Sequence, residues 1–141
     1  MLPTFTWPSK TLTQLEGEDW GPPTNGSYVV TNGHRLRYKP LTDFTAEDLR
    51  FMLGQQISLP LLMPMAIDVL EVEPFAEGDL FPGALLAMAL RVDPRFWRDH
   101  PRLWYRMNVV VGSLHRVREF METELLPAAE AFEKHCPADS L

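Results

Sequence analysis

Residues 48–70 read DLRFMLGQQISLPLLMPMAIDVL, and this stretch decides the fold. Its longest strictly apolar run, Leu59–Ile67, is far shorter than the ~20 residues that cross a bilayer. At about 100° per residue, Leu49, Met52 and Leu53 fall on one stripe of a helix, and Ile57 continues it. From Leu59 onward the wheel is apolar nearly all round, which is typical of a central helix. The stretch therefore predicts two helices that form the buried spine of a soluble domain.

The ends of these two helices carry polar and proline signals. Residues 45–48, TAED, resemble a capping box with Asp in place of the usual Glu or Gln, so they open the first helix. Gln56 falls within the apolar stripe and is predicted to be a buried amide that bonds backbone groups at the helix end. A ligand-binding role for this amide is the alternative. Ser58 is predicted to cap the second helix, and Pro64 to kink it or delay its start.

The N-terminal part has a different pattern. Residues 1–26 are rich in Pro, Gly and Thr and predict an irregular leader. Residues 27–39 hold Asn-Gly at 32–33 between two β-prone runs, which predicts a β-hairpin with a two-residue loop. In that register Val29 and Leu36 face the core. The opposite face is basic, with Arg35, Arg37 and Lys39.

Further helices are predicted downstream. Pro82–Leu90 is the third, Asp93-Pro94 starts a short fourth, and a long fifth begins near Pro101. The fifth carries an apolar seam at alternating steps of four and three residues: Leu103, Met107, Val110, Leu114, Val117 and Met121. Packing of this seam within a bundle is favoured over a coiled coil, and Pro127 is expected to kink or end the helix. The fold predicted is mainly α, one domain over residues 1–141, with about five helices in a helical region 45–134 and the small N-terminal hairpin.

Charge is spread unevenly along a chain whose net charge is −6. Residues 41–90 contain eight acids and only one basic residue, Arg50. Residues 91–118 contain seven arginines, and residues 119–141 are again acidic. Such asymmetry suits a surface field that guides a charged partner. Pairing of the two blocks within the molecule is the alternative.

The sequence carries no known catalytic or metal-binding motif, and it predicts neither an enzyme nor a cofactor. The four histidines and Cys136 lack metal-ligand spacing, and no nucleophile elbow or phosphate-binding loop is present. The neighbours of the acidic pairs Glu71/Glu73 and Glu77/Asp79 suggest that these carboxylates are exposed. Exposed carboxylates lack the environment that would separate their pKa values and so make one an acid and the other a base.

The sequence predicts that the protein resides in the cytoplasm. The N-terminus lacks a basic region followed by an apolar one, as a secretory signal would have. A single cysteine cannot form an internal disulfide, which agrees with a reducing compartment.

Arginines interleaved with aromatic residues in residues 91–106 raise nucleic-acid binding as a hypothesis. Pro94 and Pro101 break the helical register, and the net acidity opposes phosphate contacts. Pairing of these arginines with the acidic segment is therefore favoured. Trp104 and Tyr105 lie off the seam and either cover another element or anchor a partner.

Several segments together resemble a known family. They are LEGEDWG at 15–21, KPL at 39–41, the run at 49–86 and FWRDHPRLW at 96–104. In this order and spacing they are similar to contact-dependent growth inhibition immunity proteins. The chain departs from the family pattern at Leu53, Ser58, Phe81 and Ala84.

The resemblance implies a cytoplasmic protein that binds the cognate C-terminal toxin domain of a surface exoprotein and neutralises it. Many such toxins are nucleases, whose basic clefts would suit an acidic inhibitor. The toxin-binding hypothesis places one surface on Glu71, Glu73, Glu77 and Asp79, and a second on Glu16, Glu18 and Asp19 beside Trp20. A solvated loop is the plain alternative for the first.

Two other functions stay open at this point. One is a non-catalytic adaptor or regulatory module of another bacterial system, and the other is a small hydrolase that uses a carboxylate pair. No nucleic-acid or membrane partner is expected, and the oligomeric state is left open.

Overall fold

The computed structural model describes residues 5–137 and is mainly helical. Its core residues form one cluster that runs from Leu12 to Val110. Helices α3, α4, α5 and the first half of α7 supply most of that cluster. The helices are α1 Leu12–Glu16, α2 Tyr28–Leu36, α3 Ala46–Gly54, α4 Leu59–Val72, α5 Ala84–Leu90, α6 Pro94–Asp99, α7 Pro101–Phe120 and α8 Leu126–Glu133, with a 3₁₀ turn at Leu41–Asp43 and a π turn at Met121–Leu125.

The predicted β-hairpin at residues 27–39 is wrong, because this segment forms α2 and no strand occurs within residues 5–137. The Ser27 hydroxyl accepts a hydrogen bond from the Val30 N–H at 3.3 Å and so caps the helix. Gly33 lies inside the helix, where a Cβ would stand 3.7 Å from the Ile57 Cδ1 atom. Asn32 and Gly33 therefore lie on the buried face of a helix instead of in a turn. Leu36 is buried as expected, whereas Val29 is exposed.

The leader, predicted to be irregular, contains the short helix α1 and is bonded to the body. Thr11 and Gln14 form a capping box at the start of α1, whose Leu12 is fully buried. The Trp7 indole N–H donates to the Asp68 carboxylate on α4 at 2.9 Å. The Leu41 N–H donates to the Lys10 carbonyl at 3.1 Å. These bonds hold the N-terminal segment across the helices that follow it.

The predicted spine is confirmed by α3 and α4. Leu49, Met52 and Leu53 are buried on α3, which begins at the capping box formed by Thr45 and Asp48. Most of α4 is buried, and its wet edge lies at Asp68 and Glu71 as the wheel predicts. Pro64 neither breaks α4 nor delays its start.

The corner between α3 and α4 corrects the prediction for Gln56. This amide is exposed, and its Oε1 atom accepts a hydrogen bond from the Asp93 N–H at 2.7 Å. Gln56 and Ser58 both have positive φ angles, 54° and 53°. This left-handed backbone turns the chain sharply between two buried helices. Ser58 precedes α4, but its side chain does not cap the helix.

The downstream helices agree with the predictions except at their ends. Helix α5 begins at Ala84, two residues after Pro82, and buries Ala84 and Ala89. The first half of α7 packs on α4 through Met107 and Val110. The prediction that the whole seam packs within the bundle is wrong at its end, because Leu114 still packs against the core whereas Met121 is exposed. Pro127 does not end the helical course, since α8 follows the π turn directly.

Residues 5–137 contain neither a candidate membrane span nor a candidate metal cluster. None of their helices combines the length and the apolar character needed to cross a membrane. The same residues bring together no group of three or more His, Cys, Asp or Glu side chains that would hold a metal ion.

Candidate functional site

The segment between α4 and α5, residues 73–83, is here called the acidic loop. It exposes the carboxylates of Glu73, Glu77 and Asp79. Large apolar side chains are exposed among them: Phe75 by 40%, Leu80 by 56% and Phe81 by 54%. The loop thus presents negative charge and apolar area together, whereas the sequence pattern drew attention to its acids alone.

Local hydrogen bonds give the acidic loop a fixed shape. The Glu73 carboxylate accepts from the Phe75 N–H at 2.9 Å, and the Gly83 N–H donates to the Phe75 carbonyl at 3.0 Å. The Ala76 N–H donates to the Glu73 carbonyl at 3.1 Å. Gly83, in the left-handed region at φ 88°, leads directly into α5. Hydrogen bonds within the loop therefore fix the positions of its two ends.

Glu47 on α3 fastens the middle of the acidic loop to the body. Its Oε1 atom accepts from the Asp79 N–H at 3.3 Å, and its carboxylate pairs with Arg50 through two nitrogens of the guanidinium. The hydrogen bonds from Arg50 hold the pKa of Glu47 below its ordinary value, with a smaller lowering from the Asp79 N–H. Gly78 makes this approach possible, because a Cβ there would stand 2.5 Å from the Glu47 Oε1 atom.

Glu71, the fourth acid of the predicted surface, is engaged elsewhere. It lies at the end of α4 and accepts a 2.6 Å hydrogen bond from Arg106 of α7, which also donates to Asp68 at 2.9 Å. The hydrogen bond to Glu71 is the main reason that the pKa of Arg106 is raised. The structure therefore groups Glu73, Glu77 and Asp79 on the loop and neutralises Glu71 beside it.

The predicted pairing of the arginine block with the acidic segment is confirmed at Arg106 alone. Arg95 pairs locally with Asp93, and its hydrogen bonds lower the pKa of Asp93 to about 2. Among the described residues, Arg91, Arg98 and Arg102 are exposed and form no ion pair. Most of the positive charge of this block thus faces solvent.

The second predicted surface, Glu16, Glu18 and Asp19, surrounds a buried arginine. Arg37 is 1% exposed and donates to the Glu16 carboxylate, to the Ser58 hydroxyl at 3.3 Å and to the Glu18 carbonyl at 2.8 Å. Its guanidinium carbon lies 4.4 Å from the centre of the Trp20 ring. The structure thus turns Glu16 inward toward the fold.

Asp19 likewise has partners within the chain. Its carboxylate accepts from the Tyr38 hydroxyl and from the Gly21 N–H, and these two bonds lower the pKa of Asp19 in that order. The same contact raises the pKa of Tyr38. Of the three acids, only Glu18 directs no side-chain bond into the described part of the chain.

A third surface lies on α6 and the start of α7. Trp97, Arg98, Trp104 and Tyr105 line a groove of about 450 Å³ together with Pro94 and Pro101. Trp104 is 43% exposed and Tyr105 is 66% exposed, and their rings meet edge to face at 5.1 Å. Trp, Tyr and Arg are the residues that most often anchor protein interfaces. The sequence identified Trp104 and Tyr105 as candidates for this role, but it did not join them to Trp97.

These arrangements are suited to binding. The exposed carboxylates of the acidic loop lack the apolar enclosure that makes one acid of a pair a proton donor. What the loop offers is a fixed surface of charge and apolar area, which favours recognition of a basic protein face.

Comparison with known proteins assigns the chain to a family. Residues 14–107 match the sequence model of the CDI immunity proteins, that is, those of contact-dependent growth inhibition. The protein belongs to this family, and the resemblance noted in its sequence is confirmed. The matched region holds the acidic loop and the aromatic groove, and it ends within the first half of α7. No curated protein and no solved structure matches the chain.

Proposed function

We propose that this protein neutralises a cognate contact-dependent growth inhibition toxin domain by stoichiometric binding, and that the acidic loop is the toxin-facing surface. Membership of the immunity family supports toxin neutralisation by binding. The observation that carries the choice of surface is the exposed cluster of acids and large apolar side chains on a loop fastened to α3 by Glu47.

The shape of the loop favours tight binding. A surface that is already ordered loses little conformational entropy when a partner binds, so more of its interaction energy appears as affinity. Phe75, Leu80 and Phe81 supply apolar area for the centre of an interface. Glu73, Glu77 and Asp79 around them raise the association rate with a basic partner and exclude acidic ones.

The Glu16 surface fits this role less well. Two of its acids already bind Arg37 and Tyr38, so a toxin would have to displace internal contacts. The aromatic groove is the competing surface, because it exposes Trp104 and Tyr105 within the matched region. It lacks acids of its own and carries Arg98, so it suits a partner that is not basic.

The partner proposed is the C-terminal toxin domain of a surface exoprotein, delivered to a bacterium whose cytoplasm holds this protein. A nuclease is the toxin class whose substrate-binding cleft best matches the loop, because such clefts are positively charged. In this scheme the protein has no catalytic role of its own.

The test measures binding to the toxin domain encoded directly upstream of this gene. Combined reversal of Glu73, Glu77 and Asp79 to Lys is expected to weaken affinity by about a hundredfold and to flatten its dependence on salt. The matched control reverses Glu122, Glu124 and Glu130 to Lys, which changes net charge equally on a helix outside the matched region. Protection of cells that express the toxin domain should follow the affinities.

Two results would decide against the loop. Unchanged affinity and salt dependence after reversal of the three loop acids would exclude it as the toxin-facing surface. Loss of binding in Trp104→Ala with Tyr105→Ala, together with retained binding in the loop variant, would assign the toxin to the aromatic groove. Failure of the wild-type protein to protect cells would instead favour an adaptor role in another system.

A further inference from the structure

The corner between α6 and α7 gives the aromatic groove a fixed frame. The His100 N–H donates to the Trp97 carbonyl at 3.2 Å, and the His100 carbonyl accepts from the Trp104 N–H at 3.1 Å. The His100 ring stacks on Phe96 at 4.3 Å, and its Nδ1 atom lies 2.8 Å from the Phe96 carbonyl, to which it donates. Phe96 is buried in the core. The corner that shapes the groove is therefore anchored to the folded body.

The walls of the groove are made of rings. Trp97 packs partly on the core, whereas Trp104 and Tyr105 are exposed to solvent. Pro94 and Pro101, which are also exposed, complete the lining. Grooves lined by aromatic rings are the surfaces on which extended, proline-containing segments bind, because such segments present their own rings without needing a backbone partner.

Positive charge stands beside these rings without a partner. Arg98 lines the groove, and Arg102 lies three residues before Tyr105 on α7, where the two side chains are neighbours. Both arginines are exposed, and neither forms an ion pair among residues 5–137. A guanidinium binds a carboxylate through two parallel hydrogen bonds, so this rim favours acidic groups.

The acids of the corner are engaged with another arginine. Asp93 pairs with Arg95 at 2.6 Å. The pKa of Arg95 is raised by its hydrogen bonds to Asp93 and, to the smallest extent, by Asp99. The acids that α4 directs toward α7 are bound by Arg106. The charge of the rim is thus left for a group from outside the described chain.

We propose that the aromatic groove binds an extended acidic segment of a partner protein, in which carboxylates alternate with proline or other apolar residues. The carboxylates pair with Arg98 and Arg102, and the apolar residues between them contact Trp104 and Tyr105. The toxin face proposed above is basic, so this segment is a different one. The inference does not rest on the proposed function.

Nucleic acid fits the groove less well than an acidic peptide. Several phosphate contacts are needed for appreciable affinity, whereas Arg98 and Arg102 supply two on a chain whose net charge is −6. The ring planes of Trp104 and Tyr105 are inclined by 85° to each other. They therefore form a notch, whereas successive bases stack on parallel platforms.

The experiment measures the binding of dye-labelled synthetic peptides to the full chain by fluorescence anisotropy. One peptide repeats Glu, Pro and Leu, and the other has Gln in place of every Glu. The Glu peptide is expected to bind with a Kd of about 100 µM and about tenfold more tightly than the Gln peptide. Added salt should reduce this difference. Binding should also change the tryptophan fluorescence, because Trp97 and Trp104 line the groove.

Charge variants test the rim. Arg98→Glu with Arg102→Glu should weaken binding of the Glu peptide by about tenfold, to the level of the Gln peptide. The matched control is Arg116→Glu with Arg118→Glu, which makes the same change of charge on an exposed part of α7 beyond the family match. It should stay within about twofold of wild type.

Ring variants test the walls. Trp104→Ala with Tyr105→Ala should weaken both peptides by about tenfold. Phe120→Ala with Phe132→Ala removes two exposed aromatic rings outside the groove and should leave both affinities unchanged. Equal free energies of unfolding in urea show that the variants are folded.

Each of four outcomes would overturn the proposal. The first is no binding of the Glu peptide at about 1 mM, and the second is equal affinity for the two peptides. The third is unchanged binding in the arginine or the ring variant. The fourth is tighter binding of single-stranded oligo-dT than of the Glu peptide, which would assign the groove to nucleic acid. Sedimentation checks the remaining occupant, because self-association that is lost in the ring variant would assign the groove to a second copy instead.

Discussion

Glu16 shows at the residue scale how a carboxylate that reads as a surface charge can belong to the fold. Its partner Arg37 is almost completely buried, whereas the Glu16 side chain is 28% exposed. Removal of Glu16 leaves the buried Arg37 cation without its carboxylate partner. Loss of one partner of a buried ion pair destabilises a protein more than replacement of both partners by apolar residues. We expect Glu16→Ala to lower the free energy of unfolding by about 3 kcal/mol, measured by urea denaturation.

Glu18 provides the control within the same segment. It binds Arg37 through its backbone carbonyl, so Glu18→Ala should change the free energy of unfolding by less than about 0.5 kcal/mol. Equal losses for the two variants would contradict a structural role that is specific to the Glu16 carboxylate. The sequence could not separate these neighbours, because the partner of Glu16 lies 21 residues away.

Gly33 lies at the centre of the segment for which the sequence wrongly predicted a β-hairpin. Asn-Gly between β-prone runs is a strong hairpin signal in isolation. Here Asn32 and Gly33 lie on the buried face of α2, and Gly33 packs beside Ile57. Tertiary packing therefore overrides a local preference that weighs about 1 kcal/mol per residue.

The acidic loop yields a prediction at the scale of an element. A Cβ at Gly78 would lie 2.5 Å from the Glu47 Oε1 atom and 2.9 Å from the Glu47 Cα atom. The second contact involves backbone, so Gly78→Ala must push the loop away from α3. We expect a loss of about 1–3 kcal/mol in the free energy of unfolding and faster hydrogen exchange at the Asp79 amide.

Gly26 is the matched glycine for this test. A Cβ there meets nothing within 4 Å, so Gly26→Ala should leave both measurements unchanged. If Gly78→Ala also left the free energy of unfolding and the exchange of the Asp79 amide unchanged, Glu47 would not hold the loop as the structure shows. The sequence indicated a loop here, but the need for Gly78 depends on a helix that lies about 30 residues earlier in the chain.

The π turn gives a second prediction for an element. Pro127 lacks an N–H, and in a regular helix its ring would collide with the Thr123 carbonyl. Widening of the helix at Met121–Leu125 relieves that collision. Pro127→Ala should restore a regular α-helix and raise helicity in far-UV circular dichroism.

The opposite result is informative as well. A Pro127→Ala chain with unchanged helicity would mean that Pro127 does not cause the π turn. From sequence, Pro127 is expected only to kink or end the helix, and the π turn before it is not predicted. The sequence located α3 and α7 from their apolar periodicity, α4 from its nearly all-round apolar character, and α5 and α6 from Pro82 and Pro94. It could not show that the end of α7, from Arg118 onward, is exposed.

At the scale of the whole molecule, the sequence predicted that the two charge blocks pair, but it could not say which residues do so. Arg106 reaches Asp68 and Glu71 because α4 packs against α7, a contact that depends on the tertiary fold. The sequence also identified the acids of the loop, but nothing in it marked Phe75, Leu80 and Phe81 as exposed. Whether an apolar loop residue is covered depends on neighbours that no local pattern encodes.

Acid stability of the whole protein follows from carboxylates whose pKa values lie below the ordinary range. Hydrogen bonds from Arg50 lower the pKa of Glu47 from 4.5, and those from Arg95 lower the pKa of Asp93 from 3.8 to about 2. The hydrogen bond from Tyr38 likewise lowers the pKa of Asp19. The unfolded chain therefore binds more protons than the folded one as the pH falls through this range. The resulting stabilisation is complete above the ordinary values and is lost toward pH 2.

We therefore expect the free energy of unfolding, measured in urea at several pH values, to fall steadily below pH 4.5. Glu47→Gln should remove part of this dependence, because an amide cannot titrate. Its deficit against wild type should be largest at pH 7 and should shrink in acid, where wild-type Glu47 is itself protonated. Glu77→Gln is the control, since Glu77 is exposed and forms no ion pair or side-chain hydrogen bond among the described residues. Two curves that stay parallel for Glu47→Gln and wild type would show that Glu47 does not link protonation to folding.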